Sequence, residues 1–191
     1  LATRLCYGVV QNRGKLDFYL QQLLTGKLRD LHPVVRDILH LGLVQIYELE
    51  RIPDSAAVNE SVALAKKYCR WQRSAPGLVN AVLRNAVRTK GELNAPTSLA
   101  DRYSHPQELI DLLADYVGQE KLEPMLAANN GTPLTVVQVN TLRTTTDALV
   151  EELEREDVVA LPHSWMKDCL VLSNTGNLEN LRSFKDGLFY V

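Results

Sequence analysis

The spacing of apolar residues divides the chain into a long part with helical periodicity and a shorter part with strand periodicity. Ala2, Leu5, Cys6 and Val9 repeat at helical spacing, and Gly14 is expected to end that helix. Leu16, Leu20 and Leu23 repeat the pattern up to Gly26. Pro33 then opens the strongest stripe, with Val35, Ile38, Leu39, Leu43, Ile46 and Tyr47 on one side and Arg36, Asp37, His40 and Glu48 on the other. Gly42 lies on the apolar side, where it costs helix propensity but lets a neighbouring helix come close. Ile52-Pro53-Asp54 reads as a break and an N-cap before a helix from Ser55 to Arg70. The next helix, Pro76 to Lys90, buries Val79, Val82, Leu83 and Ala86 and turns Gly77, Asn80, Ala81, Arg84, Asn85 and Arg88 outward.

The segment Gly91 to Ser98, rich in Gly, Asn and Pro, reads as a domain boundary. Ser104 with Gln107 has the spacing of a capping box, and it predicts a helix to about Val117 carrying Leu109, Ile110, Leu112 and Leu113. A second short helix, Glu120 to Ala128, stops at Asn129-Asn130-Gly131. The period then changes to two. Leu134 to Asn140 alternates, with Val137 and Val139 on one face and Val136, Gln138 and Asn140 on the other. A helix over 147–156 follows, then strands over 158–161 and 168–172, a helical turn over 178–181 and a last strand over 187–191. The order β, α, β, β, α, β predicts a small ferredoxin-like or RNA-recognition-motif-like sheet. The expected fold class is therefore mainly α with a C-terminal α+β part. Its expected domains are an all-α domain over 1–90, a linker and helical pair over 91–131, and an α+β domain over 132–191.

Charge sharpens this division. The net charge is only -2, yet residues 1–93 carry 14 Lys+Arg against 8 Asp+Glu while residues 94–191 carry 7 against 15. A polyanion would be steered to the first part. With 46% hydrophobic residues in 191, the composition supports an ordinary core and disorder is excluded. Three well-separated cysteines, Cys6, Cys69 and Cys169, form neither a disulfide framework nor a metal knuckle, and a reduced cytosol is the expected setting. No apolar run approaches the roughly 20 residues of a membrane span. The chain opens without Met and stops inside a predicted strand, which reads as a fragment of something longer.

Reaction machinery is sparse. No two glycines stand two residues apart, which removes dinucleotide and Walker loops. His32, His40, His105 and His163 form no ligand pair and read as loop or surface residues, and all three cysteines read as packed thiols. What remains is binding. Lys66, Lys67, Arg70, Arg73, Arg84, Arg88 and Lys90 place seven cations in one window, with no acidic residue between Glu60 and Glu92. Basic residues near a helix C-terminus complement the macrodipole, but that does not call for so many. They are expected to contact nucleic-acid phosphates, with Asn80 and Asn85 adding hydrogen bonds to bases or sugars. The sheet is expected to pack or position rather than to read RNA, because its first strand has no aromatic residue and Phe189 and Tyr190 lie in the last.

Two stretches, IPDSAAVNESVALAKKY from Ile52 and APGLVNAVLRN from Ala75, resemble the last two helices of the NusB RNA-binding fold. YSHPQELIDLL, VQVNTLRTT and SFKDGLFYV, in that order, resemble the RsmB (Sun) family of bacterial 16S rRNA cytosine-5 methyltransferases. One departure is Gln138, where relatives often carry arginine. The resemblance implies a NusB-like helical bundle followed by a ferredoxin-like βαββαβ domain, preceding a catalytic domain that binds S-adenosylmethionine and carries the family's two catalytic cysteines. It implies small-subunit ribosomal RNA as the partner, cytoplasmic localisation, a monomer, and a chain inactive by itself, with no catalytic or cofactor-binding residue of its own. The second reading is a NusB-type transcription antitermination factor, against which stand the residues following the LVNAVLRN helix. A helical protein-interaction module is the third, and it would need an apolar surface in place of the basic one.

Overall fold

A computed structural model describes residues 1–131 and 133–191, and the expected first residue of the α+β domain, Thr132, lies outside the described residues. Its contacts divide the chain into two compact units, Leu1–Gly131 and Thr132–Val191.

The first unit is helical: α1 (Ala2–Gln11), α2 (Arg13–Leu23), α3 (Pro33–Glu48), α4 (Asp54–Tyr68), α5 (Ala75–Arg88), α6 (Leu99–Tyr103), α7 (Gln107–Val117) and α8 (Gln119–Asn129). Its larger core is the predicted apolar stripes of α2, α3 and α5 brought together, with Leu20, Leu39, Leu43 and Leu83 fully buried. Gly42 is the closest approach. A Cβ there would stand 2.5 Å from Leu83 Cδ1 and 3.0 Å from Ser61 Oγ, so the missing side chain is what admits α4 and α5 to α3. A smaller cluster of Ile110, Leu122 and Leu126 joins α7 and α8.

Several expectations from the sequence are corrected by the fold. Gly14 does not end α1. The chain turns at Asn12, whose Nδ2 donates to Gly8 O at 3.0 Å, and Gly14 lies in α2, where a Cβ would stand 3.2 Å from Ser104 Cα. Cys6 is exposed rather than packed, because only one edge of α1 meets α3. The Ser104–Gln107 capping box does not form. Ser104 ends α6 at φ 55° and its Oγ accepts the Lys15 N–H at 3.0 Å, while α7 starts after Pro106. Of the α7 stripe only Ile110 is buried, and Leu112 is exposed. Asp54 is the first residue of α4 rather than a side-chain cap.

The second unit has β1 (Thr135–Val139), α9 (Thr146–Arg155), β2 (Val159–Pro162), β3 (Cys169–Ser173), α10 (Arg182–Lys185) and β4 (Phe189–Tyr190). The antiparallel sheet has the order β2-β3-β1-β4, in which both crossovers put a helix on the same face. Thr135 lies opposite Leu172, Gln138 opposite both Cys169 and Tyr190, and Ala160 opposite Leu172. The period of two sends Val137, Val139, Leu170 and Phe189 into a core with Leu149 and Leu153 of α9. Glu156 ties the helices together: its carboxylate accepts the backbone N–H groups of Arg182 at 2.6 Å and Ser183 at 3.0 Å, at the start of α10. The other face is open, with Gln138, Val159, Leu161 and Tyr190 exposed.

Candidate nucleic-acid interface

The basic window becomes an antiparallel pair of helices. Pro53 stands at the N-cap of α4 and Pro76 in the first turn of α5, where an amide N–H would lack a helical partner anyway. The start of α4 meets the end of α5, since Lys90 Nζ lies 3.5 Å from Asp54 Oδ1. The inner faces are closed by Val58, Val79, Leu83 and Ala86, and Ser61, fully buried, donates to Ala57 O at 2.8 Å within its own helix. The outer faces belong to the predicted polar residues.

This geometry splits the predicted cluster in two. Lys66, Lys67, Arg70 and Arg73 are exposed around the C-terminal end of α4 and the turn after it. Arg84 and Arg88, also exposed, lie at the opposite end of the pair, beside the first turns of α4. Asp54 and Lys66 are twelve positions apart, or about 18 Å along a helix rising about 1.5 Å per residue. Asn59 and Ala63, both exposed, continue the α4 strip between the two ends.

At the Arg84 end there is a groove of about 340 Å³ lined by Asp54, Ser55, Val58, Asn59, Arg84, Val87 and Arg88. The asparagines take an unexpected part. Asn80 Oδ1 accepts Arg84 Nε–H at 2.9 Å and Asn85 Oδ1 accepts from Arg88 at 2.8 Å. Each amide oxygen therefore orients a guanidinium. Among the described residues no carboxylate pairs with Lys66, Lys67, Arg70, Arg73, Arg84 or Arg88, whereas Lys90 is paired with Asp54. Gly77 faces open space, so it lowers the surface without being needed for packing.

Two aromatic residues that charge alone does not single out stand inside the first cluster. Tyr68 is 51% exposed and Trp71 59%, and their signal in the sequence is the alternation of rings with cations in KKYCRWQR. The histidines divide differently from expectation. His40 is buried, with Nε2 at 2.7 Å from Asp17 Oδ1, because α2 packs across the predicted polar side of α3. His32 is exposed and its Nδ1 accepts the Val34 N–H at 3.3 Å, capping α3. Burial pushes the Cys69 thiol up from its ordinary value, so it stays protonated. Among the described residues, no group of three or more His, Cys, Asp and Glu side chains is placed to hold a metal ion, and no helix is long and apolar enough to cross a membrane.

A helical bundle with a basic outer face, followed by a four-stranded sheet of the 4-1-3-2 type, is a domain pair that known families also contain. Residues 1–88 match the NusB family and residues 105–179 match the RsmF/B-like methyltransferase ferredoxin-like domain. The chain thus joins a NusB-family domain to a ferredoxin-like domain of the RsmF/B type. Two relatives share a name. The ribosomal RNA small subunit methyltransferase B of Pectobacterium carotovorum is 32% identical over 194 residues, covering 98% of this chain and 43% of the relative. That of Vibrio cholerae is 32% identical over 191 residues with the same coverage. This chain therefore spans 43% of the length of these relatives. The crystal structure of PH0851 shares the fold at TM-score 0.65 and 18% identity, over 99% of this chain and 43% of that one.

Proposed function

We propose that this chain is the RNA-binding and targeting region of an S-adenosylmethionine-dependent rRNA (cytosine-5) methyltransferase acting on small-subunit ribosomal RNA in the cytoplasm. One observation carries the reading: the basic α4–α5 surface belongs to a NusB-family domain that is followed by an RsmF/B-type ferredoxin-like domain, and relatives named for small-subunit rRNA methylation align with 98% of the chain. The division of labour runs along the chain. Residues 1–90 hold RNA, residues 91–131 join the two domains, and residues 132–191 position the catalytic domain. The exposed cations neutralise phosphates, and the Nδ2 groups of Asn80 and Asn85 donate to sugars or bases. The protein works as a monomer.

The first loop of the second unit's sheet does not fit S-adenosylmethionine. The loop after β1 contains no glycine and is closed on its own unit, with Asn140 Nδ2 donating to Gly187 O at 2.8 Å and Arg143 to Asp186 O at 2.6 Å. No step of methyl transfer is assigned to this chain. In the intact protein the cofactor would supply the methyl group from another domain.

Fluorescence anisotropy with small-subunit rRNA fragments tests the RNA-binding part. The logarithm of affinity should fall with log[salt] at about -0.7 per phosphate neutralised on single strands. The double variant Arg84→Glu/Arg88→Glu should lose most binding, and unchanged affinity in that variant would sink the assignment of this face. In the intact protein the same pair should lower kcat/KM on rRNA while leaving S-adenosylmethionine affinity unchanged. An antitermination factor of the NusB type would bind RNA equally, but its full reading frame would support no methylation.

A further inference from the structure

We propose that Tyr68 and Trp71 form a stacking platform that takes unpaired bases of RNA beside the Lys66, Lys67, Arg70 and Arg73 cluster. The inference rests on the RNA-binding reading and adds to it a preference for single strands.

The turn that presents these rings is built to hold still. Cys69 and Ala75, at 1% and 0% exposure, are pinned in the core on either side of Trp71. Between them two tight turns follow in succession, Gln72 N–H donating to Cys69 O at 2.9 Å and Ala75 N–H to Gln72 O at 3.0 Å. Trp71 is also braced from the side. Its ring centroid lies 5.0 Å from that of His32 with the planes at 53°, and His32 is itself fixed by capping α3. A large apolar ring is thus ordered without being buried, which hydrophobic packing alone does not explain. Lys67 Nζ lies 5.1 Å from the centroid of Tyr68, so a phosphate-binding charge stands at a base-binding ring.

The chemistry of this combination favours one ligand. Aromatic rings stack any unpaired base, because every base has a π-face, and nearby cations follow the backbone. Bases within a duplex are already stacked and offer no free face. A protein partner would need an acidic surface to meet four cations, and RNA supplies both the anion and the flat apolar group.

The chain contains two tryptophans, Trp71 and Trp165, so the Trp165→Phe variant leaves Trp71 as the sole indole reporter. A short single-stranded oligouridylate should quench its emission saturably, whereas RNA duplex of equal length and poly-glutamate should not. Trp71→Ala should weaken single-strand binding about tenfold with an unchanged salt slope, since a stacked base is lost and no phosphate contact is. Trp71→Phe should retain most of the affinity, which separates stacking from damage to the turn. Equal quenching by duplex or by poly-glutamate would overturn the platform. So would a Trp71→Ala chain that binds the single strand as the parent does while Arg84→Glu/Arg88→Glu does not, and that result would leave the RNA-binding reading standing. Absence of RNA binding by the unsubstituted chain would overturn both.

Discussion

A methyl group at position 42 tests the packing behind the basic surface. Gly42→Ala gains roughly 1 kcal/mol of helix propensity, but its Cβ would meet Leu83 at 2.5 Å in a core where Leu83 is fully buried. Overpacking costs typically about 1–3 kcal/mol, so the expected net effect is a loss of about 1 kcal/mol. Urea denaturation checks this, and Leu83→Ala should cost less in the Gly42→Ala background than alone, because the clash disappears with the leucine. Asp17→Ala should cost about 1–3 kcal/mol by leaving His40 buried without its partner, and Asp17→Asn should recover part of that in the same measurement. Gly42 was legible in the sequence because a glycine set into an apolar helical stripe leaves a gap that a close-packed neighbour fills. His40 was not. Its place on the polar side of α3 depended on α2 lying across that side, and periodicity within one helix carries no information about a neighbour.

Glu156 shows how much one carboxylate does for the elements around it. Burial opposes its ionisation, but the Ser183 hydroxyl and the backbone N–H groups of Ser183 and Arg182 outweigh that and hold its pKa below the ordinary 4.5. The Ser183 hydroxyl meets no partner at good hydrogen-bond geometry, so the two backbone donors are the better-defined cause. A lowered folded-state pKa means that the stabilisation is complete above the unfolded value and is lost as pH falls through the folded one. Glu156→Gln should therefore lower the melting temperature of the second unit at neutral pH, and the gap to the parent should close as the pH drops below about 4.5. A gap that stays constant across that range would mean the charge contributes nothing. The helical turn expected over 178–181 falls on a 3-10 turn, Leu178–Asn180, but α10 just after it was not readable, and neither was its cap, because Glu156 lies 26 positions before the N–H it accepts. The same limit explains the capping box that Ser104 does not form: its hydroxyl takes a donor from Lys15, 89 positions away.

At the scale of the whole molecule, the two units have separate cores, one centred on Leu39, Leu43 and Leu83 and the other on Leu149, Leu153 and Leu170. Leu153→Ala should destabilise only the second unit, by about 2–5 kcal/mol. Calorimetry should show one transition moving and the other, together with RNA affinity, staying in place. The βαββαβ order was legible because strand and helix periods alternate cleanly after Asn130, while α6 was missed because five residues are too few for a period to register. The basic window was legible as a composition but not as a shape. In the sequence its cations form one cluster, and the antiparallel course of α4 and α5 carries them to opposite ends of the pair. For the RNA ligand proposed above, that separation would make the surface a linked pair of weak sites. A nucleic acid too short to reach from Arg70 to Arg84 can occupy one end only, whereas a longer strand binds the second end at the high effective concentration set by the first. Affinity should then rise in a step with oligonucleotide length rather than smoothly, and the step should vanish when either end is neutralised.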